Sequence, residues 1–131
     1  MKMFQVADGD FSVEDIIASM GEPAVGAIVA YCGVVRGGSV GKEVEGMEFA
    51  RDEEAISKVR ELADEAAEKF DIHDVALVHR VGWLEVGDKL LFIAVSAAHR
   101  QPAFAACQSI IDGIKKVHSG WGKEYYKKKS E

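Results

Sequence analysis

The run Leu90-Leu91-Phe92-Ile93-Ala94-Val95-Ser96-Ala97-Ala98-His99-Arg100-Gln101-Pro102-Ala103-Phe104 changes its period part-way along. Leu90 to Ala97 is apolar and of strand length. From about Gln101, Phe104, Cys107, Ile111 and Ile114 recur at three-four spacing and mark one face of a helix. Pro102 falls in the first turn, where a missing N–H is tolerated. A strand therefore ends at His99-Arg100 and a helix begins there.

Outward from this junction the same reasoning fills the chain. Val75 to Val81 is a second strand, joined to the first through Gly82-Trp83-Leu84-Glu85-Val86-Gly87-Asp88. Ile56, Val59, Ala63, Ala66 and Phe70 give a helix from about Asp52 to Phe70. Nearer the start, Phe4-Gln5-Val6 is a short strand, and Ser12 caps a helix with Asp15 at the third position, ending near Gly21. Gly26 to Val35 reads as a buried strand, the glycine-broken Arg36–Gly41 as a flexible loop, and Val44 to Phe49 as an edge strand. Strands cluster rather than alternating strictly with helices. The expected class is therefore α+β, a mixed or antiparallel sheet with helices packed on one face.

Composition agrees with one globular domain spanning 1–131, with no linker, repeat or low-complexity segment. Apolar residues are 48% of the chain and charged residues 29%. No apolar run approaches the ~20 residues of a membrane span, and the start lacks signal-peptide character. Cys32 and Cys107 lie far apart, without metal-ligand or disulfide-framework spacing, and read as a buried strand residue and a helix-core residue. A cytoplasmic protein is expected, with no metal site.

The net charge of −6 is uneven: Lys115, Lys116, Lys123, Lys127, Lys128 and Lys129 against Asp112, Glu124 and Glu131 give residues 112–131 a balance of +3, leaving −9 for the rest. An acidic body disfavours nucleic-acid binding, and the basic end, a tail from about residue 118, suits a small anion or an acidic partner. Lys127 to Lys129 read as a solvated end.

Cations at a helix start oppose its dipole, so His99 and Arg100 are poor choices for stability and good ones for binding an anion. Arg36 stands where a strand enters a glycine-rich loop, a place for a ligand or for an ordinary surface turn. His79-Arg80 closes a strand without a following helix and reads as structural or interfacial. Lys115, beside the face of Ile111 and Ile114, is either partly desolvated and chemically useful or a plain complement to the helix dipole.

Several ordered motifs carry a resemblance. These are Gly26-Ala27 through Tyr31-Cys32-Gly33-Val34-Val35-Arg36, His79-Arg80-Val81-Gly82 with Leu84 and Val86-Gly87-Asp88, and Val95-Ser96-Ala97-Ala98-His99-Arg100. Ala103-Phe104-Ala105-Ala106-Cys107, Asp112, Lys115, Trp121 and Lys123-Glu124 continue them. From about Gly26 to Glu124 the chain resembles the large subunit of molybdopterin synthase, the MoaE-type family. The resemblance implies an α/β-hammerhead-like fold and a sulfurtransferase. Such an enzyme moves sulfur from a small ubiquitin-like subunit, thiocarboxylated at its C-terminal Gly-Gly, onto cyclic pyranopterin monophosphate to build the molybdopterin dithiolene. It implies a homodimer at the core of a heterotetramer, and no metal or organic cofactor. Lys115 matches the family's active-site lysine. Arg36, His99, Arg100 and Lys116 are the substrate-binding candidates, with Lys123 a second catalytic candidate.

One position departs. Trp121 and Glu124 stay in register, but Gly122 stands where the family carries its second active-site lysine. Lys123, His118 and Lys116 are the available substitutes, and restoring a lysine by Gly122→Lys is the obvious repair. The departure leaves open a second reading, a non-catalytic dimeric subunit that only binds the sulfur carrier. The exposed-looking stretch around Trp83, Leu84 and Val86 suits an interface.

Overall fold

The computed structural model describes residues 1–39 and 41–128. Lys129 of the expected tail therefore lies outside the described residues. The element order is β1 (Met3–Ala7), α1 (Val13–Ala18), β2 (Ala27–Val34), β3 (Gly38–Ser39), β4 (Lys42–Phe49), α2 (Glu53–Lys69), β5 (Asp74–Arg80), β6 (Gly82–Glu85), β7 (Lys89–Ala97), α3 (Arg100–Ser119) and β8 (Lys123–Tyr126). One sheet runs β1-β5-β7-β2, parallel only between β1 and β5. A second runs β3-β4-β6, with β8 also paired to β4.

The strand-to-helix junction forms as its pattern requires. β7 is buried along nearly its whole length because it lies between β5 and β2 and carries helices on both faces. α2 and α3 cover one face, where Val59, Ala63, Leu77, Ile93, Val95, Ala106, Ile110 and Ile114 make the main core. The short α1 closes the other face over Ala76, Val78, Phe92 and Ala94. Its cap is the expected one, the Asp15 N–H donating to Ser12 Oγ at 3.2 Å. α2 is capped by Asp52, whose Oδ1 accepts from the N–H groups of Glu54 and Ala55.

Several expectations change. β2 is an edge strand, and its burial alternates instead of being complete. Cys32 is therefore exposed and Val34 is 50% exposed, whereas Cys107 is buried as expected. β4, expected at an edge, is the central strand of the second sheet, with β6 on one flank and β8 on the other. The supposed loop after Arg36 forms a β3–β4 hairpin, in which Gly38 pairs with Glu43 and Ser39 with Lys42. The basic tail begins later than residue 118: α3 runs to Ser119 and residues 123–126 add β8. Among the described residues no helix is long and apolar enough to cross a membrane.

Candidate active site

α3 decides where the candidate residues stand. β7 ends at Ala97, and α3 starts at Arg100 and doubles back, bringing His118 beside His79, which pairs with Leu91 near the start of β7. Fifteen residues separate Arg100 from Lys115, about 22 Å along the helix axis. The β2–β7 ladder spans a similar length, with Ala27 opposite Ala97 at one end and Val34 opposite Lys89 at the other. His99 and Arg100 therefore stand at the Ala27 end. Arg36, just past Val34, and Lys115 stand at the opposite end. Within one chain the expected anion-binding groups are not brought together.

At the first end, Gly26, Ala27, Ala98, His99, Arg100 and Gln101 line an open hollow of about 420 Å³. The Gly26 N–H donates to Ala97 O at 2.9 Å, and a Cβ at Gly26 would collide with Ala98 O. Glycine is needed there for the close crossing of two backbones. His99 occupies the N-cap of α3 in an extended conformation but makes no side-chain cap bond. Its imidazole and the exposed Arg100 guanidinium are free to meet an anion at the positive end of the helix.

At the second end, Arg36 is exposed on a backbone held firmly just before it. The Val35 N–H donates to Asp88 O at 3.0 Å, and Val35 O accepts from the Gly87 N–H at 2.8 Å. Lys115 is exposed within this chain, so the partial desolvation considered for it is not provided by Ile111 and Ile114. Three residues later on α3, His118 enters a compact aromatic cluster with Phe49, His79 and Trp121. Its Nε2 lies 2.8 Å from Nε2 of His79, whose Nδ1 donates to Arg80 O at 2.7 Å. Trp121 stacks on His79 at 4.5 Å and donates from Nε1 to Ala50 O at 2.7 Å. Phe49 meets His79, His118 and Trp121 at 5.2, 4.9 and 5.1 Å between ring centres. Burial pulls His79 down to about 4, helped by the neighbouring His118. Burial likewise pulls His118 down to about 4, helped by the Lys115 charge. Both rings are neutral at physiological pH.

This cluster explains Gly122. A Cβ there would sit 2.6 Å from Phe49 Cζ and 2.7 Å from Cε1, and Phe49 is fully buried. Gly122→Lys is thus not a simple repair, because its first side-chain carbon has no room. Lys123 lies opposite Glu48 in the β4–β8 backbone ladder, and its ammonium lies 5.0 Å over the Tyr125 ring. Alternation puts Lys123 on the face of β8 away from Phe49. Lys116 lines the groove between α2 and α3 with Asp52, Glu54, Lys58 and Trp121, far along α3 from His99. The structure groups neither lysine with the Lys115–His118 face.

The His79–His118 pair is what sequence reasoning did not assemble. His79 read as structural or interfacial and His118 only as one of three substitutes. Thirty-nine residues separate them, and no local pattern links them. The available signal was the unusual density of His118, Trp121 and Gly122 around a helix end.

A four-stranded sheet with helices on both faces, joined to a second small sheet, with cations at both ends of an edge strand, defines a class: a two-sheet α+β domain. The family follows from comparison. The model described as "MoaE protein" matches residues 6–117, and the chain belongs to that family. The molybdopterin synthase catalytic subunit of Pyrococcus abyssi is 40% identical over 116 residues, covering 88% of this chain and 78% of that one. The crystal structure of molybdopterin synthase from Staphylococcus aureus superposes with a TM-score of 0.83 at 30% identity, covering 97% of this chain and 93% of that one. A complex of subunits 1 and 2 of molybdopterin-converting factor from Helicobacter pylori shares the fold, with a TM-score of 0.70 at 16% identity over 94% of this chain and 83% of that one.

Proposed function

We propose that this chain is the catalytic subunit of a molybdopterin synthase. It moves sulfur from a thiocarboxylated, Gly-Gly-ended ubiquitin-like carrier onto cyclic pyranopterin monophosphate, and the work is done at a site shared between two copies. Family membership supports the reaction class, and the Helicobacter pylori complex supports a second, smaller subunit as partner. The observation that carries the shared site is β2. It is eight residues of edge strand, Ala27-Ile28-Val29-Ala30-Tyr31-Cys32-Gly33-Val34, without one charge or proline to protect it. Antiparallel pairing of two such edges about a twofold axis would set the Ala27 end of each against the Val34 end of the other. Arg36 and Lys115 of one copy would then face His99 and Arg100 of its partner.

In that arrangement His99, Arg100 and Arg36 hold the substrate phosphate by charge-assisted hydrogen bonds. Lys115 meets the acyl group of the carrier. Once the carrier sulfur has bonded to the substrate, the lysine offsets the negative charge that grows on the acyl oxygen as water adds. The C–S bond then breaks, leaving sulfur on the substrate and a carboxylate on the carrier. The sulfur arrives covalently bound, so the reading calls on no resident metal or cofactor. The reaction is cytoplasmic in this reading, where Cys32 and Cys107 remain thiols.

Subunit mixing tests it. Lys115→Ala and His99→Ala should each abolish dithiolene formation from the thiocarboxylated carrier. Co-refolded in equal amounts, half the dimers are mixed and each has one intact site of two, so roughly a quarter of wild-type activity should return. No recovery on mixing refutes the shared site. A wild-type chain that binds the carrier but forms no product refutes the enzyme and leaves the non-catalytic subunit.

A further inference from the structure

We propose that His118 is a positioning residue for Lys115. It offers the lysine ammonium a neutral hydrogen-bond acceptor, its Nδ1, which His79 keeps free, and it does so where Gly122 has left no second lysine. The inference rests on the sulfur-transfer reading for the role of Lys115.

The tautomers follow from the bonds. Arg80 O can only accept, so His79 Nδ1 carries the proton in the 2.7 Å contact. A neutral His79 then has a lone pair on Nε2, and His118 must donate from its own Nε2 across the 2.8 Å gap. That leaves His118 Nδ1 unprotonated. Hydrogen bonding thus dictates which nitrogen faces outward, and the surrounding Phe49 and Trp121 rings hold the imidazole plane.

Position supplies the partner. Lys115 and His118 are three residues apart on α3, hence neighbours on one helix face, and the Lys115 charge acts on the His118 ring. Among the described residues, the titratable groups facing His118 are His79 from β5 and Lys115 from its own helix. Phe49 from β4 and Trp121 after α3 bring none. When carrier and substrate cover Lys115, its ammonium loses water and needs an acceptor. A carboxylate would cancel the charge that the reaction uses, and a second lysine would repel it. A neutral imidazole orients the ammonium and leaves its charge intact. Of the three substitutes for the missing lysine, only His118 stands beside Lys115, because Lys123 is on the outer face of β8 and Lys116 is in the α2–α3 groove.

Two measurements test this on the full chain. Imidazole ¹⁵N NMR of the wild type at pH 7 should show His118 protonated at Nε2 and bare at Nδ1, and the reverse tautomer overturns the proposal. That readout does not depend on turnover, so it stands or falls separately from the enzyme reading. The second compares two amides in the reconstituted enzyme. In His118→Gln the amide reaches the Nε2 position and keeps the bond to His79. In His118→Asn the amide reaches only the Nδ1 position. We expect kcat to fall about tenfold in the glutamine variant with KM within twofold, and to recover to within about threefold of wild type in the asparagine variant. Wild-type kcat in His118→Gln, or an asparagine variant no better than the glutamine one, reduces His118 to a structural strut.

Discussion

Gly122→Ala adds one methyl group, and its consequence follows from the packing around Phe49. The new Cβ would lie 2.6 and 2.7 Å from Phe49 Cζ and Cε1, about 1 Å inside normal carbon–carbon contact. The ring cannot swing clear, because His79, His118 and Trp121 surround it at 4.9 to 5.2 Å between centres. Overpacking of this kind costs about 1–3 kcal/mol. The φ of Gly122 is not positive, so alanine also recovers something under 1 kcal/mol of unfolded-chain entropy. The net expectation is a loss of about 1–2 kcal/mol, or a Tm lower by roughly 3–10 °C. Gly120→Ala is the control, since nothing lies within 4 Å of its Cβ and its φ is −104°. It should leave Tm unchanged or slightly raised. Repeating Gly122→Ala on a Phe49→Leu background should remove most of its cost, a coupling of at least 0.5 kcal/mol by thermal or urea unfolding. An unchanged Tm in Gly122→Ala, or strict additivity in the cycle, would refute the claim that Phe49 excludes a side chain at 122.

Two further expectations concern stability. His79 and His118 titrate near 4 in the folded protein against 6.5 for an ordinary histidine, so the unfolded chain binds more protons between these values. Their contribution is complete above about pH 6.5 and is lost as pH falls toward 4. Tm should drop across that window, and His118→Gln, which leaves one titrating ring, should flatten the drop; an equal slope in both proteins counts against the pair. Asp52→Ala removes both cap bonds of α2 and should cost about 1 kcal/mol in urea unfolding with little change in turnover.

The sequence made the long elements legible because their burial is written in their own periodicity. α2, α3, β5 and β7 each carry enough apolar positions to announce a face. β6 and β8 do not: Gly82-Trp83-Leu84-Glu85 and Lys123-Glu124-Tyr125-Tyr126 become strands because β4 offers both flanks, and β4 is remote from each in the chain. β2 looked buried because Ala, Val, Cys and Tyr are equally suited to an inner strand and to an edge. For the site, residue types were readable and distances were not. His99, Arg100 and Lys115 lie on one helix, and the helix that links them in sequence is what separates them in space. Gly122 looked like a lost function, whereas its neighbourhood shows a space already filled by Phe49.

The pairing of β8 with β4 also has a consequence for synthesis. A chain made from its N-terminus exposes β4 well before residues 123–126 exist, and α2, β5, β6, β7 and α3 all come between. During that interval one flank of β4 has only water for its N–H and C=O groups, and Phe49 waits for Trp121 to enclose it. β8 therefore acts as a latch. Residues made late complete the wall behind His118 and Lys115, so a nascent chain acquires its candidate chemistry only after the scaffold around it has formed.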